Sequence, residues 1–211
     1  MKINMPEKKS ATNPFYTVMH PFDASYDIRF KGKGNTWISI IILAILFLTT
    51  IFQRQNTGYI FNYNKLSDLN VFMQFATAIL PFLLFVIGNW IVAILLNGTG
   101  RMRDIWIYTA YCLVPFILGN IVGVLLSNVL AMEEPFASYV QVFGAGWSLV
   151  ALFIGLMVMH EYNFVKSVFS CACTVFAMFI LLFAIMLVGS LASDFYGFLA
   201  TIIREVLLRV S

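Results

Sequence analysis

Five stretches of this chain, Trp37–Phe52, Val71–Leu96, Ile105–Leu130, Phe136–Met159 and Val168–Ala192, contain no Asp, Glu, Lys, Arg or His. Apolar residues fill them in continuous blocks, so no helix face is reserved for water. All but the first exceed the roughly 20 residues that a helix rising ~1.5 Å per residue needs to cross ~30 Å of hydrocarbon. The first is extended by Thr36 and Gln53, which sit readily at an interface. The pattern predicts an all-α, polytopic integral membrane protein with five transmembrane helices in residues 36–193.

The flanking segments read differently. Residues 1–12 are polar and basic and are expected to be disordered. In residues 13–35, "NPFYTVMHPFDASYDIRFKGKGN", Phe15, Met19, Phe22, Tyr26 and Phe30 recur every three or four positions, and Pro21 suits a first helical turn. With Arg29, Lys31 and Lys33 at its end, this segment predicts an amphipathic helix on an anionic leaflet. Residues 194–211 alternate Asp194, Thr201, Arg204, Glu205 and Arg209 with Phe195, Phe198, Ile202 and Val206. They predict a second interfacial helix. The segment ahead of the first span lacks a signal peptide's short basic start, so that span is expected to act as its own insertion signal.

Composition sharpens this picture. Hydrophobic residues make up 61% of the 211 and charged residues 11%, against about 45–50% and about 25% in soluble domains. With the N-terminus in the cytoplasm, Lys2, Lys8, Lys9, Arg29, Lys31, Lys33, Arg101, Arg103 and Lys166 fall on the inner side. Arg54, Lys65, Arg204 and Arg209 fall outside, together with the acidic loop of Glu133 and Glu134. The positive-inside rule favours that orientation. It places the C-terminus outside and the chain in the cytoplasmic membrane. Nucleic-acid binding is not expected, because the net charge of +3 is mostly juxtamembrane.

Intramembrane chemistry is sparse. An ionisable residue inside a span usually marks a proton relay or an ion path, and the five runs hold none. Their polar side chains are amides and hydroxyls, including Asn89, Asn120, Gln141 and Ser148, each able to contribute about 0.6–2 kcal/mol between helices. Gly119, Gly123 and Ser127 form a small-residue stripe on the third span, and Gly144, Ser148, Ala151 and Gly155 form one on the fourth. Such stripes let backbones approach, within the chain or against a partner. Pro81 and Pro115 permit kinks. The phrases "LPFLLFVIGNWIV" and "VPFILGNIVGVLL" share Pro-Phe and Gly-Asn, but their gaps differ by three residues, so chance is the simpler account. Cys112, Cys171 and Cys173 read as small buried thiols. "HEYNF" lacks a zinc protease's second histidine, and His20 with Asp23 and Asp27 has no evident fourth ligand. No catalytic residue, cofactor or metal site is predicted.

The loop "LLNGTGRMRDIW" joins the second and third spans. Gly98 is expected to end the second helix in a left-handed conformation, and Gly100 to relax the turn. Arg101 and Arg103 would anchor to headgroups, and Asp104 would cap the third helix. The Asn97-Gly98-Thr99 sequon faces the wrong compartment for glycosylation.

Together, "HPFDASYDIRF", "FVIGNWIV", "LLNGTGRMRDIW", "AYCLVPFIL" and "MVMHEYNFVKS" resemble, in order and spacing over roughly residues 20–192, a bacterial Ypt/Rab-interacting protein (Yip) domain. The resemblance implies a five-span bundle with a cytosolic N-terminus and no catalytic residues. Eukaryotic relatives contact small GTPases in early secretory membranes, usually with a longer N-terminal region. Some bacterial relatives are encoded beside carbohydrate ABC transporters. The expected function is a non-enzymatic scaffold or accessory subunit for another integral membrane protein, or for further copies of itself. A channel for a neutral solute lined by Asn89 and Asn120, or a membrane-shaping protein using its terminal helices, are the alternatives.

Overall fold

The computed structural model describes residues 13–57, 70–129 and 136–210, with side chains described as far as Glu205. The basic residues 1–12, Lys65 and the loop of Glu133, Glu134 and Pro135 lie outside the described residues. The described residues form eight helices and no strand. Five spans of these helices are long and apolar enough to cross a membrane.

The N-terminal segment is two helices, α1 (Pro14–Met19) and α2 (Pro21–Lys31). Proline disfavours helical geometry in the residue before it, and His20 accordingly takes φ −134°, ψ 67°. The Asn13 side chain accepts from the Phe15 N–H to start α1, and left-handed Gly32 (φ 62°) ends α2. The expected aromatic face is exposed at Phe15, Met19, Phe22, Tyr26 and Phe30. The opposite face, with Ala24 and Ile28, is buried against the bundle. The segment is therefore docked on the spans through one face and exposed on the other. Trp147 Nε1 donates to the Val18 carbonyl at 3.0 Å, which helps hold it there.

The first span is α3 (Thr36–Asn56), 21 residues long and capped by the Asn35 side chain. The second is α4 (Val71–Leu95), capped by Asn70 and unbroken at Pro81. The third is divided into α5 (Met102–Cys112) and α6 (Val114–Ser127). The division follows from Pro115, which has no N–H to give to the preceding turn. The Phe116 N–H is also diverted, donating instead to Ser148 Oγ at 3.0 Å. Pro81 and Pro115 thus have different consequences, and the two similar phrases do not make two similar helices. The fourth span is α7 (Phe136–His160), and the fifth begins α8 (Phe164–Val210), a single helix of 47 residues.

The spans are not equivalent. The most apolar window of Met102–Ser127 is 61% buried, whereas that of Phe164–Glu205 is 6% buried. The third span is therefore the centre of the bundle and the fifth its periphery. Tyr108 and Tyr111 are wholly buried there. Tyr108 Oη donates to the Ala151 carbonyl at 2.7 Å, and its ring fills the space left by Gly155, where a Cβ would come 1.8 Å from Cε1. α6 lies along α7, and α8 leans on α4.

Candidate functional site

The small-residue stripes meet inside the chain. A Cβ on Gly144 would stand 2.6 Å from the Pro115 carbonyl and 3.0 Å from Gly119 Cα, so α6 and α7 touch backbone to backbone. Gly123 accommodates the Gln141 side chain. Ser148 and Ala151 are buried where α7 meets α6 and α5. Ser127 Oγ bonds back to the Val124 carbonyl in its own helix.

A polar junction occupies the end of the bundle that carries α2, the loop 96–101 and the turn 161–163. Gly100 N–H donates to His160 Nδ1 at 3.3 Å, and His160 Nε2 lies 2.9 Å from Asn89 Oδ1. Asn89 Nδ2 donates to Thr174 Oγ1 at 3.1 Å, which donates to the Ser170 carbonyl at 2.8 Å. Thr99 Oγ1 donates to Glu161 Oε1 at 3.2 Å. The Arg29 guanidinium donates to the Thr99 carbonyl and pairs with Asp104 at 3.5 Å. The loop that joins α4 to α5 therefore ties in α2 through Thr99 and α7 through His160, and Asn89 of α4 carries the network on to α8.

Two details of that loop differ from expectation. Asn97, not Gly98, takes the left-handed conformation (φ 53°). Asparagine tolerates that region, which leaves Gly98 for another task. A Cβ on Gly98 would come 2.4 Å from Tyr162 Oη, and one on Gly100 2.5 Å from His160 Cε1. Both glycines make room for side chains on the facing turn. Asp104 likewise does not cap: Arg101 holds the N-cap position without a side-chain bond, and Asp104 sits in the first turn facing Arg29. The cation outcompetes the exposed backbone donors for the carboxylate.

In the sequence, His160 reads as half of a zinc-protease motif. Its signal was the presence of Asn89, Thr174 and His160, three polar residues near the same end of otherwise apolar helices. Asn89 has both ends of its amide engaged, and Asn120 is buried on α6. Neither lines the cleft between α2 and α5 described below, and the two share no bond. His20 stacks on Tyr16 with ring centroids 4.9 Å apart, and Asp27 is paired with Lys31 (2.5 Å) and Lys33 (3.6 Å). Outside the spans, that hydrogen bond to Asp27 holds the Lys31 ammonium above its ordinary pKa. Among the described residues no group of three His, Cys, Asp or Glu gathers.

An all-α bundle with five membrane-crossing helices, a buried hydrogen-bonded junction at one end and a docked N-terminal helix pair defines a polytopic membrane protein. The chain belongs to the Yip1 domain family, whose model matches residues 15–186. The match takes in α1 and α2 and stops within α8. Among curated proteins and among solved structures nothing matches the chain significantly.

Proposed function

We propose that the protein is a non-enzymatic adaptor of the cytoplasmic membrane that holds another integral membrane protein, with α1 and α2 on the cytosolic side. The observation that carries this reading is the outer part of α8. Every side chain from Phe183 to Glu205 is exposed, so the rest of the described chain covers little of this stretch. A 47-residue helix measures about 70 Å, more than twice the ~30 Å of hydrocarbon. Past the apolar run it carries Asp194, Arg204 and Glu205 among Phe195, Phe198 and Ile202. Such a mixed surface suits neither lipid tails nor water alone. A helix lying flat on the membrane would have to bend away from the fifth span, and α8 continues without a break. A second membrane protein alongside α8 would cover both kinds of surface.

The partner class suggested by the family resemblance is a carbohydrate ABC transporter. The excess of Lys and Arg beside α2 and the loop 96–101 supports the orientation. At the junction, Asn89, His160 and Thr174 satisfy one another, which favours a structural role for them over a catalytic one. The test is purification of the full chain at native expression in a gentle detergent, followed by mass spectrometry. A defined membrane protein should accompany the full chain and be lost from a variant truncated after Ser193. Repeated recovery of the full chain alone sinks the proposal.

A further inference from the structure

The geometry points to a binding site for the phosphate headgroup of an anionic phospholipid, in the cleft between the end of α2 and the start of α5. The cleft has a volume of about 300 Å³ and is lined by Arg29, Arg101, Arg103, Asp104, Gly34 and Ile107, with Phe30 at its edge. Three guanidiniums therefore face one carboxylate. Asp104 is already engaged by Arg29 at 3.5 Å, while Arg101 and Arg103 are exposed and make no ion pair with the described residues. The nearby Asp27 does not neutralise them, being shared between Lys31 and Lys33.

Positive charge in the cleft has a second source. Arg101 occupies the N-cap position of α5 without capping it, so the positive end of the helix dipole faces the same space. Gly34 brings the chain ahead of α3 close to Ile107, where a Cβ would meet Cγ2 at 2.9 Å. The site is thus a walled recess holding excess positive charge, the chemistry that recognises a phosphate.

Its place in the fold selects a lipid as the source. The cleft lies beside the first residues of two membrane spans, Thr36–Asn56 and Met102–Ser127, and the ends of a span lie near the headgroups. Phe30 is 49% exposed at its edge, and Met102, 40% exposed, follows at the start of α5. Acyl chains can descend past these side chains while the phosphate meets Arg101 and Arg103. This inference is independent of the adaptor reading, which rests on α8.

Native mass spectrometry of the delipidated full chain, titrated in micelles with phosphatidylglycerol or phosphatidylcholine, tests it. Phosphatidylglycerol should bind more tightly than phosphatidylcholine. The Arg101→Gln, Arg103→Gln double variant should weaken its binding about thirtyfold, given about 1 kcal/mol for each basic residue at an anionic surface. Arg204→Gln, at the far end of α8, should leave it unchanged. Undiminished binding in the double variant, or an equal loss in Arg204→Gln, overturns the site. Inorganic phosphate that protects the 101–104 amides from hydrogen exchange and is not displaced by phosphatidylglycerol overturns the lipid assignment in favour of a soluble anion.

Discussion

His160 Nε2 lies 2.9 Å from Asn89 Oδ1, joining the end of α7 to α4 inside the bundle. The direction of this bond is fixed by its neighbours. Gly100 N–H donates to Nδ1, so Nε2 carries the ring hydrogen and the asparagine oxygen must accept. The amide then faces Thr174 with its NH₂ group, as observed. One tautomer and one amide orientation satisfy the whole chain of bonds, and reversing either would oppose two donors. Such a buried network specifies how α4, α7 and α8 meet.

Removing both members should therefore cost less than the two single losses added together. Asn89→Leu leaves His160 without an acceptor, and His160→Phe leaves Asn89 without a donor. Each should lower stability by about 1–3 kcal/mol, the penalty of a buried orphaned polar group. The double variant should lose clearly less than the sum, because no orphan remains between the two positions. Thermal unfolding in detergent measures all three, and strictly additive losses would show that the bond does not couple the helices.

The crossing of α6 over α7 makes opposite predictions for two neighbouring glycines. A Cβ on Gly144 meets only backbone, the Pro115 carbonyl and Gly119 Cα, and backbone cannot swing aside. Gly144→Ala should destabilise by about 1–3 kcal/mol, as overpacking does. Gly146 has nothing within 4 Å of its Cβ position, so Gly146→Ala should be neutral or gain up to ~1 kcal/mol from helix propensity. Equal effects on the unfolding temperature would place the contact elsewhere.

The same glycines show what a sequence can carry. The five spans were legible because lipid forbids unpaired charge and unpaired backbone along a whole helix, a constraint that acts residue by residue. The contact between Gly119 and Gly144 was legible as a stripe, but its partner was not, since small residues permit close approach to any helix. The loop was less legible still. Left-handed geometry can be met by glycine or asparagine, and only the positions of Tyr162 and His160 decide that Asn97 takes it while Gly98 packs. Asp104 could cap or pair, and Arg29, 75 positions earlier in the numbering, decides that it pairs. The His160–Asn89–Thr174 chain joins three separate helices, so local pattern held its members but not their association.

Arg29 ties α2 to α5 and the loop before it through Asp104 and the Thr99 carbonyl. Arg29→Gln should release both contacts, at about 1.5–3 kcal/mol for hydrogen bonds to a charged group. The loss should be local. Hydrogen exchange should speed up in the amides of α2 by at least about tenfold, while those of α6 and α7 keep their protection. A uniform increase across the bundle would mean that α2 is part of the folding core and not an element docked upon it.

The length of α8 allows a last separation, between what holds the fold and what is left over. Its inner half packs on α4, where a Cβ on Gly88 would lie 3.4 Å from the Thr174 carbonyl and 3.6 Å from Ala177 Cβ. A leucine at position 88 would have to displace that backbone, so Gly88→Leu should destabilise by about 1–3 kcal/mol. The side chains of the outer part, from Phe183 to Glu205, are all exposed. Truncation after Ser193 should consequently change unfolding by no more than ~0.5 kcal/mol, as for surface changes remote from any packed feature. If the truncated protein instead unfolds, the outer helix is held by its own chain. The proposed adaptor would then lose the free surface on which it rests.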